Sequence, residues 1–379
     1  MSLFFSLVNT SFASWQAGGS ASLSLEHNDN RQLRLENEEE VSGRLLSLSG
    51  DLKRESEVSV LEIKPRFRSM KYSSESNLDS NDQFLEISYQ KENALSYFSL
   101  EADYARDSSL TSELGRTGRI QVNKRREKYE VEPSFIFELS PTLFGQLMFN
   151  FSHVSYRDAE NTGLVDYDYG VVSAAIIKNF SERDTLSFSL FSSLVKFDQT
   201  ENETKNSGLQ LDYTRELSES TQLDLGLGGR YSEYERESGA HSVVSDDDSG
   251  YLFNIGFETQ FEYNTFTMKL DRKIQPSGIG NLEQSDALYA GLRHRFTRFW
   301  SFNLNGRFRN TKRIEDGRDD TDYKYLTSSV SLTRVIGREW FITSSYRYAR
   351  QKINRDDEYG DSNALYLTIG YNSDVGFLY

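Results

Sequence analysis

Arginine stands at alternate positions twice late in the chain, as Arg293 with Arg295 and as Arg307 with Arg309; Lys269 and Lys273 precede them four residues apart. Residues two apart share one face of an extended chain, so these six cations line one surface if their segments are strands. An opposite set occurs earlier, with Glu86, Glu101, Asp103, Glu130, Glu132 and Glu138 at positions of common parity within their segments. Such groups make and break no bonds. Their chemistry is electrostatic, and facing walls of opposite sign across water orient a charged solute without holding it tightly.

Other groupings are weaker. Acidic runs at Glu38 to Glu40, Asp246 to Asp248 and Asp356 to Glu358 are divalent-cation candidates, but solvated loop tips carry such runs more often. The oxygen spacing of an EF-hand, with its Glu at loop position twelve, does not occur, so no metal site is expected. The four histidines are His27, His153, His241 and His294. Parity sends His153 and His294 to the apolar face of their strands, where a general base has no use. His241 beside Ser242 and near Asp246 to Asp248 suggests a Ser/His/Asp set, yet a triad is defined by geometry, and loops rich in Ser and Asp create such neighbours by chance. No enzyme and no cofactor are expected.

The elements that must position the charges follow from period-two alternation along the whole chain. In the closing segment Leu365, Leu367, Ile369, Tyr371, Val375, Phe377 and Tyr379 are apolar or aromatic, and Thr368, Gly370, Asn372 and Asp374 interleave with them. In another, Phe302, Leu304 and Phe308 alternate with Asn303, Asn305, Arg307 and Arg309. The aromatic content of 22 Tyr and 25 Phe favours strands. Some 18 segments of this kind begin near residues 20, 41, 58, 82, 94, 127, 142, 166, 184, 206, 221, 250, 265, 286, 300, 322, 339 and 362. No helix is evident between them.

Alternate connections are tight, such as ENA, SPT, EYN and GRE, whereas long polar stretches lie between, including residues 111 to 125, GAHSVVSDDDS and EDGRDDTD. Trp300 and Trp340 follow tight turns, where an interfacial aromatic girdle belongs. The reading is an all-β, single closed antiparallel transmembrane barrel of about 18 strands, or 16, with short periplasmic turns and longer extracellular loops in a bacterial outer membrane. The alternative is a soluble antiparallel protein, which would need a second layer over its outward apolar face. The basic and acidic segments then lie about nine strands apart, on opposite walls of the lumen. Tyr289 and Tyr325 also point inward, where they can stack on sugar rings.

The remaining features bound the partners. A net charge of −15 disfavours nucleic acid as a partner, and the absence of cysteine excludes disulfides and thiolate metal sites. Residues 1–14 read as a signal-peptide remnant ending in Ser11, Phe12, Ala13 and Ser14, without a basic start; an ordinary first strand is the other reading, and residues 15–379 form the barrel. Oligomeric state is open. The stretch TSELGRTGRIQVNKR is the candidate for a constriction loop, and finding it inside the lumen would favour a porin for small solutes.

One stretch breaks the pattern. DRKIQPSGIGNLEQSD, residues 271 to 286, puts one of only four prolines between strands, so Pro276 is expected to end a strand before a loop shaped by Gly278 and Gly280. Its wording, Asp271 and Arg272 followed by Pro276, Ser277, Gly278 and Gly280 and then a downstream Asp, resembles outer-membrane barrels of exopolysaccharide secretion systems. That resemblance implies a conduit for a polysaccharide chain, set in outer-membrane lipid and lipopolysaccharide and docked on a periplasmic polysaccharide-export protein, with no catalysis. A small-solute porin and a structural or adhesive barrel are the competing functions.

Overall fold

The computed structural model describes residues 14–117, 122–198, 202–238, 242–314, 323–353, 359–373 and 376–378. In chain order the strands are β1 (Ser14–Asn28), β2 (Val41–Glu55), β3 (Ser59–Tyr72), β4 (Ser80–Asn93), β5 (Ser96–Ser108) and β6 (Arg125–Ser140). They continue as β7 (Leu143–Arg157), β8 (Tyr167–Asn179), β9 (Asp184–Phe197), β10 (Asn202–Ser218), β11 (Thr221–Ser238) and β12 (Ser242–Gln260). The last are β13 (Asn264–Ser277), β14 (Asn281–Arg295), β15 (Trp300–Arg313), β16 (Tyr323–Ile336), β17 (Trp340–Ile353) and β18 (Tyr359–Asn372). A short segment, β19 (Gly376–Leu378), resumes the line of β18 on β1.

Each strand pairs antiparallel with the next, and β1 closes the circle. It bonds β2 on one side, from Ser14 opposite Glu55 to Asn28 opposite Val41, and β18 on the other, from Ser20 opposite Asn372 to Asn28 opposite Ala364. The result is an 18-strand closed antiparallel barrel, and the 16-strand alternative falls away. Strand starts lie close to their sequence positions except at β1, β10, β12 and β14, which begin earlier. At β12 the reason is clear: residues opposite each other in β11 and β12 stay paired as far as Ser238 and Ser242, so the acidic run Asp246 to Asp248 is strand rather than loop.

Alternation does what the sequence implied. On β1 and β18, Leu23 pairs with Ile369 and Leu25 with Leu367, all on the outer face and about half exposed, while Ser24 and Thr368 point inward and share a hydrogen bond of 2.8 Å. Leu46, Leu48, Leu147, Phe149, Leu209 and Leu304 extend this exposed belt around the wall. No second layer covers it among the described residues, and an apolar band of that extent is stable only against lipid. Trp15, Trp300 and Trp340 sit at the short-turn rim, joined there by exposed Phe180, Phe261, Tyr263 and Phe296, as an aromatic girdle requires.

Two departures from the sequence reading concern the opposite end. Among the described residues one α-helix forms, α1 (Ser109–Thr117), where a loop was expected; Ser109 is fully buried and its backbone and hydroxyl are tied to residues 122 and 124. In addition, Pro276 does not end its strand, since β13 runs on to Ser277 with Pro276 opposite Leu282. The reason lies in the neighbour: β13 leaves β12 after Arg272, which is opposite Phe253, and thereafter bonds only β14. A proline is tolerated in such a one-sided position because no partner is waiting for its missing N–H.

Candidate functional site

Freed from β12, the tip of the β13–β14 hairpin packs inside the barrel. Gly278 accepts a 2.7 Å hydrogen bond from the N–H of Val165, which lies between β7 and β8, and a Cβ on Gly278 would come within 2.2 Å of the Tyr156 hydroxyl oxygen. Gly280 takes a φ of +79°, open to glycine at little cost. Around this contact Val154, Tyr156, Leu164, Tyr167, Phe197 and Leu282 form a buried apolar core inside the loop end of the barrel. The two glycines of the unusual stretch are therefore explained by close approach and by backbone sign.

The Asp and Arg of that stretch do something else. Both belong to β13 and not to the loop. Asp271 faces inward, while Arg272 faces outward and grips the downstream Asp286 of β14 with two hydrogen bonds of 2.6 and 2.7 Å, its guanidinium lying 4.2 Å from the centre of the Tyr251 ring. Ser277 and Pro276 are buried with the hairpin tip.

A second inward element is α1. Glu113 is fully buried and receives Arg126 at 3.3 Å and the Tyr156 hydroxyl at 2.7 Å, while Arg126 also holds Asp107 through two bonds of 3.0 and 3.1 Å. Burying one cation with two carboxylates is tolerable only because every group has a directed partner. The β1–β2 connection is the third. Leu33 is buried against Tyr325 and Ala349, and Gly360 lets its backbone pass, since a Cβ there would meet the Leu33 carbonyl oxygen at 2.1 Å. Beside it Arg31 donates to Glu26 at 2.7 Å and lies 5.0 Å from the Tyr72 ring centre, and Glu26 also accepts from Tyr72 and Tyr366.

Between these elements and the wall lies a cavity of about 300 Å³. Arg31, Leu110 and Thr111 bound it on the loop side, and Tyr289, Arg307, Tyr325 and Arg347 bound it on the wall from β14 to β17. Since α1 springs from β5 and β6, on the far side of the barrel, this cavity lies between a crossing element and the opposite wall, like an eyelet. The Tyr289 hydroxyl donates to Asn305 at 3.0 Å, and Arg307 lies 5.8 Å from the Tyr289 ring centre.

The sequence-derived walls fall as follows. Register puts Lys269 opposite Tyr289 and Arg307 opposite Tyr289 on its other side, so Lys269, Lys273, Arg293, Arg295, Arg307 and Arg309 share the inner face. They are not one surface. Arg293 and Arg295 are exposed near the short turns, Arg307 reaches the eyelet, and Arg309 is buried, which removes it from any water-facing wall. Lys269 lines a recess together with Asp224 and Glu258.

The acidic wall is more coherent. Glu86 is opposite Asp103, Glu101 opposite Glu132, and Asp103 opposite Glu130, and five of these groups with Glu62 face the lumen; Lys64, Arg66 and Lys128 pair with Glu62, Glu86 and Glu130 and offset part of the charge. Asn150 bridges Glu130 and Glu132 at 3.1 and 2.9 Å. Glu138 stands at the short-turn rim beside a bulge.

His153 and His294 face outward as parity implied, bonded to Asp168 and Asn264. His241 and Asp356 to Glu358 lie outside the described residues. Of the other acidic runs, Glu39 pairs with Arg34, Glu40 with His27 and Asp248 with Arg230, and no cluster suited to a metal ion occurs among the described residues. Arg31 and Arg347 went unnoticed in the sequence. Extending parity to β17 finds Arg347; Arg31 lies in a connection with no alternation to betray it.

A closed barrel with a lipid-facing belt, a girdle of aromatics at its short-turn end and a polar interior admits one setting. The protein is a bacterial outer-membrane barrel. No family model matches the chain, and no curated protein matches its sequence. Solved barrels do match in fold. The Pseudomonas aeruginosa protein OccK2 (OpdF), in a complex with glucuronate, is similar at a TM-score of 0.50 and 11% identity, covering 94% of this chain and 98% of that one. Acinetobacter baumannii OccAB3 gives 0.46 and 9%, covering 95% and 99%. The copper transporter OprC gives 0.48 and 10% over 90% of this chain, which spans 62% of the OprC length.

Proposed function

We propose that this barrel is a porin-like channel that lets small polar solutes cross the outer membrane one at a time. The observation that carries the reading is α1 lodged inside the lumen, with Leu110 and Thr111 facing Tyr289 and Arg307 across a cavity of about 300 Å³. An inward constriction of this kind suits a hexose-sized molecule and opposes a polymer. Export of a polysaccharide, which the resemblance of residues 271 to 286 implied, would require α1, the β1–β2 connection and the β13–β14 tip all to withdraw, and the last of these is anchored in an apolar core.

The lower lumen fits the same role. In this reading the acidic wall of β4 to β6 and the cations Arg293 and Arg295 set a transverse field in water, which orients an entering solute before it meets the eyelet.

The test is solute entry into proteoliposomes containing the purified protein, alongside single-channel conductance in planar bilayers. Swelling should be fast with hexoses and fall steeply with oligosaccharide length, and added polysaccharide should leave conductance unaltered. A large conductance blocked by polysaccharide would return the export reading, and silence in both assays would leave a structural barrel.

A further inference from the structure

Resting on the channel reading, we propose that the eyelet is a binding site for hydroxylated organic carboxylates of about hexose size, with Arg307 and Arg347 as the carboxylate ligands. The argument begins with charge. Arg31 is neutralised by Glu26, so it shapes the cavity without seeking an anion. Arg307 and Arg347 differ: among the described residues neither has a carboxylate within ion-pair distance, although lumenal cations elsewhere are paired with carboxylates. Both guanidiniums line the same cavity, and a guanidinium pairs best with a planar carboxylate through two parallel hydrogen bonds.

The rest of the lining supplies the other half of the ligand. Tyr325, almost wholly buried against Leu33 and Ala349, closes one side of the cavity, and Tyr289, fixed by its bond to Asn305, lines another. An aromatic ring such as Tyr289 can accept the apolar side of a sugar ring. The Thr327 and Ser329 hydroxyls and the Asn305 amide stand beside them as hydrogen-bond groups for a polyol. A neutral sugar would leave the two arginines without an anion, and an amino sugar would oppose them.

Three probes with the same ring separate these cases: glucuronate, glucose and glucosamine, each added to single channels of the full-length protein in potassium chloride. Glucuronate should interrupt the current at concentrations about tenfold or more below glucose, since a charge-assisted pair is worth roughly that factor, and glucosamine should be weakest. The double variant R307Q/R347Q should lose the preference for glucuronate over glucose and glucosamine. A conducting parent that treats the three probes alike, or a double variant that keeps the preference, overturns the site. If the parent does not conduct, the channel reading fails by itself; calorimetric titration of the detergent-solubilised protein with glucuronate then decides the site, upheld by binding that R307Q/R347Q abolishes and overturned by none.

Discussion

The two ends of this barrel share one wall and have different interiors. At the short-turn end the inner face is wet and charged, carrying Glu101, Glu132, Arg293 and Arg295, and the strands are held by their ladders and by lipid on the outside. At the loop end the inner face is apolar in patches, with Val154, Tyr167, Phe197 and Leu282 buried against each other inside the barrel. The same alternation therefore means water inside at one end and a protein core inside at the other. The lesson is that period two fixes which residues point inward, while only long-range packing fixes what they meet there.

Three variants break or sharpen the contrast, beginning with the largest effect. Arg126→Gln removes the cation shared by Asp107 and Glu113 and leaves buried carboxylates behind, at a cost of about 3 to 5 kcal/mol. Hydrogen exchange should localise the damage, with faster exchange at α1 and at Val165 while the amides of β17 and β18 near the lipid belt stay protected; uniform loosening of all strands would mean that the two ends are one cooperative unit. Leu367→Arg places a charge in the lipid belt and should cost about 2 to 4 kcal/mol in the urea stability of the protein folded into vesicles. An equally stable variant would remove the assignment of that face to lipid.

The smallest effect belongs to the wet end. Replacing Arg293 and Arg295 with Glu should leave stability unchanged, because both are exposed, and should shift cation over anion permeability by a factor of about two at low salt, fading as the Debye length shrinks. Selectivity that stays fixed at every ionic strength would dismiss the transverse field.

The legibility of the sequence follows the same division. Alternation in SNALYLTIGY or FNLNGRFRN reports a two-sided wall directly, so strand number, the inward parity of Tyr289 and Tyr325 and the aromatic girdle were all readable. What was not readable depends on contacts between distant segments. Ser109 to Thr117 carries no strong helical pattern of its own and is held by Lys124, Val122 and Arg126. Pro276 looked like a strand end because the sequence cannot tell that β12 has already parted from β13. Gly278 looked like a loop glycine, and its actual constraint is a tyrosine from β7. Arg309 had the right parity and the wrong surroundings, since parity does not distinguish a wet wall from a buried one.

The closing seam sets the order of assembly. Ser20 faces Asn372 and Asn28 faces Ala364, so the bonds that remove the last free edge join β1 and β18. Until β18 is in place, both β1 and the growing edge expose unpaired backbone, which invites other strands to add to them. Contacts of such sequence separation are slow to form because loop-closure entropy must be met first. Closing the barrel therefore requires keeping the margins of β1 and β18 from other strands until they pair with each other.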